Sequence, residues 1–411
     1  MRSSLRRVAF VMTVVSLLSC VGGPALARWN PGSSNTKSYS RGRTMPTGNT
    51  PAASVTVRNV AVSWSGNQFP AGTPLNTYVV RRYDVATNTA QTMLSNCNGI
   101  VTSTSCTEQG VPAGNWRYTV TPVHQNWTGT ASSLSTAVTV QAPSLALNAP
   151  TTFLLLPGAV TGSVANYASG QTLTFRLDDP NTGTVLSGSS TPATIGAAGS
   201  ATISATIPTG TPNGTHTVYA IGSNGDVASA SITMNVPPFS PSSLLNANGG
   251  NQTGRPQEAD RVEIVFNQAL SVASMCSTWS GNGSNQSIAG DNVVTVTISD
   301  NAAPTGNDQL TVSTSAAACG GAFNFGSVDM GSPNFATNSS TFAGTAANAS
   351  TIAWNATTYG LTITLGARVP GGPAPARVNT VVTSTYTPSP ALMSTSGFPA
   401  VGTTSSSAIQ F

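Results

Sequence analysis

The sequence predicts an all-β chain, tandem β-sandwiches behind an N-terminal leader, and three observations predict it. Apolar and polar residues alternate with period two in many stretches, beginning with Val60-Ala61-Val62-Ser63-Trp64. That period marks a strand with one face in a core. Only 7 % of the 411 residues are charged, against about 25 % in ordinary globular proteins. Thr, Ser, Asn and Gly carry the polarity instead, which is a strand-and-turn composition. No interior stretch sustains a helical period. The length suits about three domains of the usual 100 to 200 residues.

The first 27 residues read as a secretion signal. Arg6-Arg7 are followed by an apolar run from Val8 to Leu18 and a small-x-small site at Ala25-Leu26-Ala27. The run is too short for a membrane span, which needs about 20 residues. A second processing site competes with the first: Leu17-Leu18-Ser19-Cys20 resembles a bacterial lipobox, in which Cys20 is lipidated. Secretion and lipid anchoring at the cell surface therefore both stand as expectations. The formal charge of +4 falls to +1 without Arg2, Arg6 and Arg7. No basic stripe with interleaved aromatics appears, so no nucleic-acid partner is expected. Residues 28–54 are polar and rich in Pro and Gly, the composition of a flexible stalk.

Four cysteines remain after cleavage at Ala27, an even number in an exported chain. Their spacing pairs Cys97 with Cys106 and Cys276 with Cys319. A zinc site is the rival reading, but there is no CxxC and the two histidines, His124 and His216, lie far from both pairs in sequence.

Residues 55–143 carry strands at Val60–Trp64, Thr77–Tyr83 and Gly114–Val120. A tryptophan on an early strand and a tyrosine on a late one suit the space between two sheets. The order of Val62-Ser63-Trp64, Tyr78 to Tyr83 and Trp116 to Val123 resembles a fibronectin type III module. The resemblance implies that Tyr118 is the tyrosine corner, its hydroxyl bonded back to nearby backbone. A Cys97–Cys106 bridge departs from the usual module. Residues 148–236, with strands at Thr172–Leu177, Ala201–Ile207 and His216–Ile221, resemble a bacterial immunoglobulin-like repeat. Residues 242–411 form a larger immunoglobulin-like β region, one elaborated sandwich or two small ones. Its phrase Asp260 to Leu270 resembles the start of repeats in bacterial surface-layer proteins.

Reactive constellations are scarce. No G-x-S-x-G elbow is present, and His124 and His216 read as strand-end or surface histidines. Asp178-Asp179 sits in a turn, where adjacent side chains point apart rather than converge as a glycosidase pair must. Glu258, Asp260 and Glu263, and Asp291, Asp300 and Asp308, could offer oxygens to calcium. The better metal candidates are Asp178, Asp179 and Asn181. No cofactor is expected. Trp127, Trp279 and Trp354 lie in Asn-, Ser-, Gly- and Thr-rich surroundings that read as loops, where exposed rings could stack on sugars.

The expected function is a non-enzymatic exported bacterial envelope protein, an adhesive or interaction scaffold or spacer whose partner is an envelope protein or polysaccharide. The alternative is a carbohydrate-binding protein using those tryptophans. A third reading is an enzyme with its site in the loops of the third region, near Glu263 or Asp300.

Overall fold

The computed structural model describes residues 44–70, 72–188, 193–301, 306–371 and 373–411. The leader, Cys20 and stalk residues 28–43 lie outside them. Among the described residues the α-helices are two single turns, Val272–Met275 and Ala316–Cys319. The rest of the regular structure is strand, arranged as tandem β-sandwiches.

The first core lies between two sheets. One holds Ala52–Thr56, Asn59–Ser63 and Ser105–Glu108; the other is built on Thr77–Asp84 and Gly114–His124, with shorter strands at its margins. Alternation sets which face goes inward: Val60 and Val62 are buried while Ala61 and Ser63 are exposed. Gly114–His124 pairs with Thr77–Asp84 over eight residues, from Thr77↔Val123 to Asp84↔Trp116. Its other edge is closed in part by two serines instead of a strand. The Ser132 and Ser135 N–H groups donate to the Val120 and Tyr118 carbonyls at 2.9 Å, and their Oγ atoms accept the Val120 and Tyr118 N–H groups at 3.0 Å. Edge groups left open would invite pairing with another chain.

The second core has the same plan. Ser144–Leu147, Gly158–Ala165 and Ala201–Ile207 face a sheet built on Thr172–Leu177, Gly214–Gly222 and Val227–Met234. Phe175, Val218 and Ala220 are fully buried between them.

In the third region the buried residues from Phe239 to Phe411 form one continuous cluster. A five-stranded sheet runs in the order Pro241–Ala247, Arg261–Phe266, Gly360–Thr364, Thr351–Asn355, Gln286–Ile288. It packs on a six-stranded sheet that begins at Ser340–Phe342 and ends at Thr404–Ala408. Phe266 is central, in contact with Phe239, Trp354 and Tyr386 at centroid distances of 5.2 to 6.3 Å. The cysteines are joined as Cys97–Cys106 and Cys276–Cys319. The second bridge fastens the two helical turns to each other.

Candidate functional site

Six of the carboxylates singled out in the sequence, Asp178, Asp179, Asp260, Glu263, Asp291 and Asp308, are engaged in local structure. Asp178, at φ 67°, accepts from the Thr217 N–H at 3.1 Å and meets His216 Nδ1 at 2.8 Å. Asp179 turns the other way and accepts the Asn181 and Thr182 N–H groups at 2.7 and 2.6 Å. Those bonds, to Thr182 above all, hold its carboxyl below the ordinary carboxylate value. The Asn181 backbone thus serves the turn. Asp260 accepts N–H groups of Gly249, Gly250 and Gln257. Burial pushes it up all the same. Asp291 caps Ala346, Asp308 receives Phe335 and Ala336, and Glu263 pairs with Arg261 at 3.2 Å. Among the described residues no three His, Cys, Asp or Glu side chains converge to hold a metal ion.

His216 is not a surface residue. It is buried, with Nδ1 on Asp178 and Nε2 2.8 Å from the Pro212 carbonyl. A carboxylate and a carbonyl are both acceptors, so the ring fits best with a proton on each nitrogen. Burial works against that cation, but the Asp178 and Pro212 contacts outweigh it and the pKa rises. His124 is exposed, with its ring set edge-on to Phe69.

The three tryptophans part company. Trp127 is 65 % exposed on a hairpin strand paired with His124. Trp354 is 2 % exposed: it lies on the Thr351–Asn355 strand, one step of alternation after Ile352, and packs on Phe266. Trp279 is 6 % exposed and meets Phe323 edge-on. The loop reading is thus corrected for Trp354, which is on a strand; Trp279 does lie in a loop, but both rings are buried in the third core and offer no open face to a sugar.

Tyr118 also departs from expectation. Its hydroxyl donates to Glu108 Oε2 at 2.9 Å, not to backbone. The tyrosine that bonds back to nearby backbone is Tyr78, whose hydroxyl meets the Leu75 carbonyl at 2.7 Å. Glu108 is fully buried and holds a network: Oε1 accepts from Arg82 Nη1 at 2.6 Å and the Leu94 N–H at 2.9 Å. Arg82 also donates to the Thr92 carbonyl and lies 4.7 Å from the centre of the Trp116 ring. Burial and the neighbouring carboxylate raise the Tyr118 pKa.

Polar ties link the three cores, and no sequence signal announced them. Arg58, on the turn after Ala52–Thr56, reaches Asp226 Oδ1 at 2.8 Å and the Gln141 carbonyl at 3.5 Å. Asp226 belongs to the second core's Gly214–Gly222/Val227–Met234 hairpin. Val57 lies against Gly199, where an added Cβ would stand 2.1 Å from the valine Cγ1. Gly199 also has φ +71°, so the position requires glycine on both counts. Farther along, Ser396 Oγ accepts the Leu156 N–H at 3.0 Å, and its carbonyl accepts the Gly210 N–H at 2.8 Å. Phe398 packs onto the second core. Among the described residues no helix is long and apolar enough to cross a membrane.

No protein-family model and no curated protein matches the chain. Solved structures that resemble it include the chicken interferon gamma receptor alpha chain, at 12 % identity over 47 % of this chain and all of that one, with a TM-score of 0.20. A tetra-tandem repeat from the extending region of a large adhesion protein aligns at 13 % identity over 87 % of this chain and 73 % of that one, at 0.24. The FN1-FN3 domains of chicken CNTN1 align at 9 % identity over 78 % and 99 %, at 0.22. Values this low carry no functional weight, and the fold class rests on the sheets and cores themselves.

Proposed function

We propose that the chain is an exported, non-enzymatic scaffold of a bacterial envelope. In this reading three sandwich modules, 55–143, 148–236 and 242–411, hold interaction surfaces at a fixed spacing. The observation that carries it is the pair of ties between cores, Arg58–Asp226 and Ser396 with Leu156 and Gly210. Modules joined only by a linker would reorient freely, whereas buried polar ties fix one arrangement. The leader in residues 1–27 and the paired cysteines support export. Lipidation at Cys20 is the anchored form of the same proposal.

Intact-mass analysis of the mature chain tests export. A mass starting at Arg28 means release, one starting at diacylated Cys20 means anchoring, and an unprocessed chain inside the cell overturns the proposal. Beads carrying residues 44–411 test adhesion. Saturable retention by envelope preparations is expected, and none by any envelope fraction defeats the adhesive role. A carbohydrate-binding reading is favoured at Trp127 alone of the three tryptophans, because its ring is open to solvent.

A further inference from the structure

The outward face of the third region's five-stranded sheet carries a groove of about 370 Å³, lined by Asn285, Gln286, Ser287, Asn355, Gly360 and Thr362 with Ala353 and Trp354. That volume lies within the range of small-ligand sites. Strand register places Ser287 beside Ala353 and Ala353 beside Thr362, three small side chains in a row across the sheet. The small row leaves the groove open, and longer polar side chains stand at its end.

Those polar side chains are held in fixed orientations. Asn285 Oδ1 accepts the Ala356 N–H at 2.9 Å. Asn355 Oδ1 accepts the Thr357 and Thr358 N–H groups at 2.9 and 3.1 Å. Each carboxamide is therefore tied by its oxygen, and its NH₂ is left without a protein acceptor among the described residues. Gln286 pairs with the inward Trp354 and so alternates to the other face of the strand from Ser287, where its Nε2 donates to the Ser280 and Ser284 carbonyls. On the adjoining strand, Arg261 and Glu263 neutralise each other at 3.2 Å. The lining itself bears no charge, and its surface is divided about evenly between polar and apolar atoms.

We infer that this groove binds a neutral oligosaccharide. A sugar hydroxyl both donates and accepts, and neighbouring hydroxyls need donors and acceptors side by side. The two fixed carboxamide donors, with the Ser287 and Thr362 hydroxyls that both donate and accept, supply that mixture. The absence of charge from the lining selects against uronic acids and phosphates. The lining exposes no large apolar or aromatic side chain, which selects against a protein partner, whose interface core is usually apolar and aromatic. The inference stands on these residues and not on the scaffold role.

Calorimetric titration of residues 44–411 with cellohexaose, laminarihexaose and chitohexaose, against hexagalacturonate, tests it. Asn285→Asp and Asn355→Asp keep the oxygen that caps the loop, replace the NH₂ donor by an acceptor oxygen and add a negative charge. At least one neutral hexasaccharide should bind, and each variant should weaken it about tenfold, the scale of one hydrogen bond. Ala353→Arg, which fills the groove, should abolish binding, while thermal midpoints stay unchanged in the two Asp variants. Trp127→Ala should leave binding intact. No binding of any neutral hexasaccharide at millimolar concentration overturns the inference. So does preference for hexagalacturonate, or a loss that follows Trp127 and not the groove variants.

Discussion

Arg58 and Asp226, 168 residues apart in sequence, meet at 2.8 Å where the first and second cores adjoin, and they are unequally buried. The arginine side chain is 3 % exposed and the aspartate 17 %. Removing the two partners should therefore have different effects. Asp226→Ala leaves a guanidinium buried with only the distant Gln141 carbonyl, an arrangement that costs about 3–5 kcal/mol when it cannot relax. Arg58→Ala leaves a carboxylate that water can reach. The modules relieve the strain by separating. Protease cleavage between residues 141 and 148 should accelerate strongly in Asp226→Ala and less in Arg58→Ala. Equal rates in all three proteins would show that the pair does not hold the junction.

The Glu108 network should behave as a unit. Glu108→Gln retains an oxygen for the Tyr118 hydroxyl but leaves Arg82 buried without an anion. It should lower the stability of the first core by about 3–5 kcal/mol. Pairing it with Arg82→Met removes the stranded charge, so the double variant should be more stable than Glu108→Gln alone. Urea unfolding followed by tryptophan fluorescence reads the difference. A double variant weaker than the single would mean that the contacts of Arg82 with the Thr92 carbonyl and the Trp116 ring outweigh the cost of its stranded charge.

Much of the fold was legible because alternation is a local property. Val262, Ile264 and Phe266, Val294, Val296 and Ile298, and Leu361, Ile363 and Leu365 are all buried as their spacing demands. The charged network was not legible. Arg82 occupies an inward position in the same alternation as Tyr78 and Val80, and only the fold brings Glu108 opposite it. Trp354 was hidden by small polar neighbours, although Ile352-Ala353-Trp354 carries the strand period. The groove was not legible either: its donors are held in place because Asn285 and Asn355 spend their oxygens on loop N–H groups, a fact of three-dimensional geometry. The junctions depend on how separate cores meet, which no local pattern encodes.

His216 should make the second core's stability depend on pH in a defined direction. Its folded pKa lies above the ordinary 6.5 because Asp178 and the Pro212 carbonyl outweigh the effect of burial. A raised folded value favours folding in full below pH 6.5, and the contribution is lost as pH rises through the folded value. The core should resist urea better at pH 5.5 than at pH 8.5. His216→Gln should remove that part of the difference. A variant that keeps the full dependence would place its origin elsewhere.

Trp127 and Trp354 offer the sharpest contrast in the chain, because one residue type meets opposite surroundings. Trp354 fills the third core against Phe266, and truncation leaves a void that rigid sheets cannot close. Trp354→Ala should cost about 3–5 kcal/mol. Trp127 is open to solvent on a hairpin strand, so Trp127→Ala should change stability by less than about 0.5 kcal/mol. Urea midpoints of the two variants measure this directly. An indole exposed without a structural role is free to contact a partner. Conversely, a large stability loss in Trp127→Ala would show that the ring is already occupied within the fold and would remove it as a binding surface.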